Sequence, residues 1–180
     1  MDPCNDPVFR TRWDADAMAI QAISDFLDAA AALGGNDIGP QGPDLSNREF
    51  IAPLLGGVRG RVRVGEVEWG DPQTTPTGSA ATITKPGVDG FNFRGFIHNH
   101  PGGSKVPSPA GPDGNGDWAV FEFFRNQVIA AGQNPALLSM YIVTFNSDLG
   151  EYEVWAYDYN PEHNNDGGRK VNPEAQPCPL

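Results

Sequence analysis

The sequence predicts a single α/β domain in which a mostly antiparallel central sheet is flanked by helices. Three observations carry this expectation. Apolar residues recur at helical spacing near the N-terminus and again after residue 117. Between and beyond these stretches lie short runs rich in Val, Ile, Phe and Tyr, bounded by Gly, Pro and Asn. The resulting order (helix, several strands, helix, two strands) departs from the strict strand–helix alternation of a parallel sheet. A length of 180 residues suits one core, and the chain shows neither an internal repeat nor a second domain.

Each element follows from a local pattern. Residues 1–12 read as an extended arm. Ile20, Ile23, Leu27 and Ala30 keep the spacing of one helical face and alanines fill much of the remainder, which predicts a helix over about 13–33. Asp14 and Asp16 fall where acidic residues favour a helix start, and Gly34-Gly35 is a stop signal. Residues 34–47 form a turn-rich loop. The apolar run from Glu49 to Leu55 suits a strand that Pro53 confines to an edge or a kink. After a turn at 57–60, residues 61–69 alternate through Val62, Val64 and Val67, Ser79–Thr84 reads as a third strand, and Phe91–His100 as a fourth.

A loop rich in Gly and Pro fills 101–116. Asp117 then opens a helix over 118–131, with Phe121, Phe124 and Val128 on one face and Gly132 as its stop. Residues 137–145 and 152–159 read as two strands joined by a turn at 146–150. Residues 160–180 are polar and proline-rich, as in a loosely held tail. The expected organisation is an arm (1–12), a domain (13–159) and a tail (160–180).

The net charge of −11 and the pI near 4.5 argue against binding a phosphate backbone or an anionic membrane surface, and favour a basic partner or a peptide substrate. No apolar run approaches the ~20 residues that span a bilayer. The first residues lack the basic-then-apolar pattern of a secretory signal. The expected location is the cytoplasm, or outside the cell by a route that needs no such signal, as for a domain of a larger exported chain. With only Cys4 and Cys178, two free thiols are expected, and a disulfide pinning the two ends is the alternative.

The chemistry centres on Gly95-Phe96-Ile97-His98-Asn99-His100-Pro101. Residues i and i+2 of a strand share a face, so His98 and His100 can direct two imidazoles at one point while Asn99 turns away. Such a pair is half of a metal site, and imidazole suits zinc. A third ligand is expected from Asp117, at a helix start, or from Asp113. The run Asp113-Gly114-Asn115-Gly116-Asp117 is not an EF-hand, because Trp118 and Phe124 stand where that loop needs Gly and Glu. A carboxylate outside the ligand set must take the proton of an activated water, with Glu49, Glu66 and Glu68 as candidates. His163 reads as a surface histidine, and Trp118 and Phe91 as core residues.

These residues carry a resemblance. His98-Asn99-His100-Pro101, followed by Ser108 and an Asp at a helix start, resembles the His-x-His-Pro … Ser-x-x-Asp signature of the JAMM/MPN (JAB) metallopeptidases. Eight residues separate Ser108 from Asp117 where the signature has two. Upstream, Glu49-Phe50-Ile51-Ala52-Pro53-Leu54-Leu55-Gly56 is similar to the family's Glu-x-x-Gly-x-Leu-x-Gly run. The resemblance implies an MPN/JAB-like fold over 13–159 with zinc held by His98, His100 and Asp117. It also implies that Glu49 is the general base and that Ser108 stabilises the oxyanion during hydrolysis of a peptide or isopeptide bond, in a substrate that can be ubiquitin-like. The opening segment and Asn47-Arg48-Glu49-Phe50 are similar to JAB-like domains of bacterial polymorphic toxins. That likeness implies a bacterial effector delivered by a carrier and met by a cognate inhibitor or immunity protein. The competing expectation is a catalytically inactive scaffold module of the same fold. A nuclease reading of the letters His-Asn-His fails, since nucleases of that name scatter those residues over a ββα unit, and the charge opposes a nucleic-acid substrate.

Overall fold

The computed structural model describes residues 2–57, 61–72, 88–164 and 167–179. The first helix, α1, spans Pro7–Leu33 and so begins inside the stretch read as an extended arm. Asp6 accepts the Phe9 N–H at 2.8 Å and Pro7 occupies the first helical position. These are the residue types that start helices. Asp14 and Asp16 therefore lie well inside α1, buried, and not at its start. Tyr141 donates its hydroxyl to Asp16 at 2.8 Å, Arg169 makes two bonds of 2.8 Å to the same carboxylate, and Asp14 accepts the Cys178 N–H at 2.9 Å.

The deepest face of α1 is Ala15, Ala19, Ala22, Phe26 and Ala30. Ile20, Ile23 and Leu27 pack beside it, half-buried. Small residues let the helix axis approach the sheet closely, which moves the buried stripe away from the branched residues that the spacing singled out.

Two short strands, β1 (Ile38–Gly39) and β2 (Gly42–Pro43), make a hairpin within the expected loop. The main sheet contains β3 (Phe50–Gly56), β4 (Val62–Val64), β5 (Glu68–Trp69) and β6 (Phe93–Asn99). The second helix, α2 (Asp117–Ala130), follows, then β7 (Ser139–Asn146), β8 (Glu151–Tyr157) and β9 (Arg169–Lys170). The strand order is β4-β3-β6-β7-β8-β9, with β5 also pairing with β3. Among the described residues every pairing in this sheet is antiparallel except β6–β7. The result is a mixed α/β fold with helices on both faces of a mostly antiparallel sheet. The strand expected at Ser79–Thr84 lies outside the described residues.

Pro53 does not push β3 to an edge. The strand pairs with β6 along one side and with two separate pieces along the other. Pro53 accepts the Gly65 N–H at 2.8 Å, in the interval between β4 and β5. The N and O of a strand residue point the same way, so the missing proline N–H falls in that break. The single strand expected over 61–69 is therefore divided in two.

Strand alternation sorts the core. Phe50, Ala52, Leu54, Ile97, Tyr141 and Val143 face α1. Ile51, Phe96, Met140 and Ile142 face α2, against Trp118, Phe121 and Val128. Gly95 has φ +143, and a Cβ there would lie 2.0 Å from the Ser139 carbonyl oxygen. Only glycine allows β6 to approach the start of β7 so closely.

The C-terminal stretch is held, not loose. β9 pairs with β8, Val171 and Cys178 are buried, and Arg10 bonds the Pro179 carbonyl at 2.9 Å. Cys4 and Cys178 form a disulfide with Cα atoms 5.8 Å apart, so the expected free thiols are absent. The Cys178 N–H bond to Asp14 brings the last residues to the side of α1, where Cys4 precedes the helix.

Two outcomes follow for stability. The disulfide closes almost the whole chain into a loop, so the double variant Cys4→Ser/Cys178→Ser should lose about 2–5 kcal/mol in chemical denaturation. Burial holds the Tyr141 hydroxyl well above the ordinary value of 10.0, reinforced by the Asp16 carboxylate. Above about pH 10 the unfolded chain releases this proton while the folded chain keeps it. Stability is thus intact below that pH and falls as pH rises through it. Tyr152 and Tyr157, also raised by burial, add to the slope. Tyr141→Phe should flatten, without abolishing, the loss of denaturation midpoint between pH 9 and pH 11.

Candidate metal centre

The parallel β6–β7 pair requires a crossover, and α2 supplies it. The helix runs back along the sheet, so its N-terminus returns to the C-terminal end of β6. That brings Asp117 to His98 and His100. His98 lies on the α2 face, its ring stacked on Phe96 with centroids 5.6 Å apart. His98 Nε2 is 3.1 Å from Asp117 Oδ1, and His100 Nε2 is 3.2 Å from Asp117 Oδ2. The two Nε2 atoms are 3.0 Å apart.

Three ligand atoms on different residues thus converge on one point, and together they could hold a metal ion. Tetrahedral N and O ligands placed 2.0–2.1 Å from a metal stand about 3.3 Å from one another, close to the observed separations. Of the two remaining nitrogens, that of His100 has a partner that fits the same picture. His100 Nδ1 lies 2.8 Å from the Ser104 carbonyl oxygen. A carbonyl only accepts, so the His100 proton sits on Nδ1 and the Nε2 lone pair faces the centre. His98 is fully buried, and its Nδ1 has no hydrogen-bond partner among the described residues.

Asp117 is largely buried. Burial alone would raise its pKa, but the two imidazoles beside it outweigh that effect and hold the carboxyl well below the usual 3.8. The group is an anion at neutral pH, as a ligand must be. Asp113 is not part of the cluster.

The spacing between Ser108 and Asp117 has a simple physical account. Ser108 N–H donates to Asp117 Oδ2 at 2.6 Å, and Asp117 N–H donates to Ser108 Oγ at 2.9 Å. The intervening residues leave and return between these two contacts. Inside the excursion, Gly111 N–H bonds the Asn115 carbonyl at 2.8 Å. Gly116 closes it with φ +97, where a Cβ would lie 2.2 Å from the Pro109 carbonyl oxygen. Ser108 also replaces the missing side-chain cap of α2, since Gly116 at the N-cap offers none.

Glu49 directly precedes β3. Phe50 enters the α1-side core and Ile51 the α2-side core, so alternation assigns Glu49 to the α2 side, that of His98. Ile51 pairs with His98 on one side and Glu68 on the other. Glu68 therefore shares the face but stands two strand spacings from His98, about 9.6 Å. Glu66 is exposed in the link between β4 and β5. Of the three carboxylates, Glu49 belongs to the segment adjoining β6.

Two residues around Glu49 escaped the sequence reading. Arg48 makes bonds of 2.8, 2.9 and 3.1 Å to buried Asp37 and reaches the Gly70 carbonyl at 3.2 Å. Asn99, expected only to turn away, is buried and hydrogen-bonded across to the segment before β3. Nothing in local spacing signals either, because both act on residues distant in sequence.

His163 stacks on Trp118, 5.6 Å between centroids, with Nε2 3.6 Å from Glu122. It lies outside the metal cluster. Trp118 is core, as expected, whereas Phe91 is exposed, against expectation. A groove of about 780 Å³ meets His100 and is walled by the β1–β2 hairpin, the 101–103 turn, Asp44, Val143 and Tyr152. No described helix is long and apolar enough to cross a membrane.

No family model, curated protein or solved structure matches this chain.

The geometry yields a direct test. Titration with Co²⁺ should saturate at one ion per chain, weaken on acidification from pH 7.5 to 5.5 as protons compete for the ligand atoms, and disappear in Asp117→Ala. Asp113→Ala should bind as the unaltered protein does. Equal loss in both variants, or in neither, would remove Asp117 from the ligand set.

Proposed function

We propose that the chain is a zinc-dependent hydrolase of JAMM/MPN type that cleaves a peptide or isopeptide bond in a protein substrate. The carrying observation is the convergence of His98 Nε2, His100 Nε2 and the Asp117 carboxylate on one point, with the His100 tautomer set by Ser104. Two imidazoles and one carboxylate leave room for a fourth ligand, the donor set of catalytic rather than structural zinc. Held by these three residues, a zinc ion would polarise a carbonyl and would lower the pKa of its water toward about 7.

The remaining work falls to this chain's own residues. Glu49, on the α2 side beside β6, accepts a proton from the attacking water and delivers it to the departing nitrogen. Ser108 uses its hydroxyl oxygen to accept the Asp117 N–H, which leaves its hydroxyl proton to donate to the developing oxyanion. Asp117 stays ionised and keeps both imidazoles aimed at the centre. The groove that meets His100 receives the substrate chain, and a carboxylate in its wall, Asp44, together with the acidic balance of the protein, favours a basic segment there.

The same reading includes the toxin-like likeness. Of the two locations left open by the sequence, the disulfide favours delivery to an oxidising compartment. A bacterial effector carried there by a larger chain, and neutralised in the producing cell by a cognate inhibitor, fits that chemistry.

Purification without chelator should return one zinc per chain by elemental analysis, lost in His98→Ala. On a panel of peptide-bonded and isopeptide-linked protein substrates, Glu49→Gln should retain its zinc while hydrolysis falls by about 10²–10⁴-fold. Full activity in Glu49→Gln would sink the base assignment. Bound zinc without turnover of any substrate would favour the scaffold reading.

A further inference from the structure

The backbone ladder between β3 and β6 stops at the pair Ile51↔His98. One step further, where Phe50 would meet Asn99, a side chain takes over from the backbone. Asn99 Oδ1 accepts the Phe50 N–H at 2.6 Å, and its Nδ2 donates to the Arg48 carbonyl at 3.0 Å and the Leu45 carbonyl at 2.7 Å. Phe50 N–H and Arg48 C=O belong to the two peptide groups that flank Glu49. Asn99 itself sits between His98 and His100. On the far side of the segment, Gly70 N–H bonds the Glu49 carbonyl at 2.9 Å, and the Arg48–Asp37 pair fixes the preceding residue.

We propose that Asn99 is a positioning residue that sets the distance between the general base and the metal centre. This rests on the reading of Glu49 as base and of the cluster as a metal site. Three features carry it. The side chain is buried and uses its acceptor and its donor group together, so its orientation is fixed. It grips both peptide groups beside Glu49, which determines where that side chain leaves the backbone. It projects from the one residue shared by both ligand-bearing neighbours, so a shift of β6 moves ligands and base together. A residue acting only in the core would need no such register.

The test uses the full chain loaded with Co²⁺, whose visible spectrum titrates with pH as the metal's water ionises, at an inflection that a neighbouring carboxylate shifts. Glu49→Gln is the reference and should move the inflection. Asn99→Ser, which keeps one short donor and loses the clamp, should move it in the same direction by at least half as much. Its cobalt affinity should stay well short of the ~10- to 100-fold loss that follows removal of a ligand's own hydrogen-bond partner. If Asn99→Ser does not fold, Asn99→Asp, which accepts from Phe50 but cannot donate to the carbonyls, carries the same comparison. An inflection at the unaltered position in the Asn99 variant, with Glu49→Gln shifted, overturns the positioning role alone. Loss of cobalt in the Asn99 variant overturns it in favour of a role in supporting the ligands. An unshifted Glu49→Gln profile overturns the base reading, and the positioning role falls with it.

Discussion

The parallel pairing of β6 with β7 is the constraint from which the candidate centre follows. Two adjacent parallel strands cannot be joined by a tight turn, so the chain must cross the sheet and come back. Here the crossover is the loop from Pro101 and the helix α2. Because the helix runs opposite to the strands it connects, its first residue must lie at the C-terminal end of β6. That end carries His98 and His100. The meeting of Asp117 with the histidine pair is thus a consequence of topology before it is a consequence of side-chain preference. Ligand sites gather at the C-terminal ends of strands in open α/β sheets for the same reason.

Topology brings the residues to the same end of the sheet; local bonds fix their spacing. The reciprocal Ser108–Asp117 contact returns the chain to the start of α2 whatever the loop does between. Such a closed excursion costs little, because loop-closure entropy grows only slowly with length. The carboxylate at the first helical position also lies where a helix favours negative charge, which offsets part of its desolvation. On the strand side, the Phe96 ring stacks on His98 and is itself backed by Phe121 of α2, which restricts the rotamers open to the imidazole.

Much of this was legible in the sequence because it rests on short-range pattern. The spacing of His98 and His100, the aspartate at a helix start, and the Phe121–Val128 face each need fewer than a dozen neighbours to recognise. What escaped rests on partners far along the chain. Asp14 and Asp16 have the look of helix-start residues, yet their partners are Tyr141, Arg169 and Cys178. The C-terminal stretch reads as a tail because it is polar, yet its polar groups meet those same buried aspartates. Pro53 reads as an edge signal, and the sheet accommodates it by breaking the neighbouring strand instead. Asn99 has no local signature, since its three partners lie 49 to 54 residues away.

The charge balance of the cluster suits a cation. Two imidazole nitrogens 3.0 Å apart cannot both present lone pairs to each other without repulsion, and the Ser104 carbonyl keeps the His100 proton on the opposite nitrogen. A shared proton can relieve one contact, but it satisfies two acceptors at most and leaves the third off its axis. A divalent ion would accept from all three at once and would neutralise Asp117. Proton and metal would therefore compete for one position, and the observed separations of 3.0, 3.1 and 3.2 Å lie close to those of a tetrahedral site. Assembling three basic atoms beside a buried strand carries an electrostatic cost that a bound ion would offset further, so an ion held there would stabilise this end of the sheet in step with its affinity.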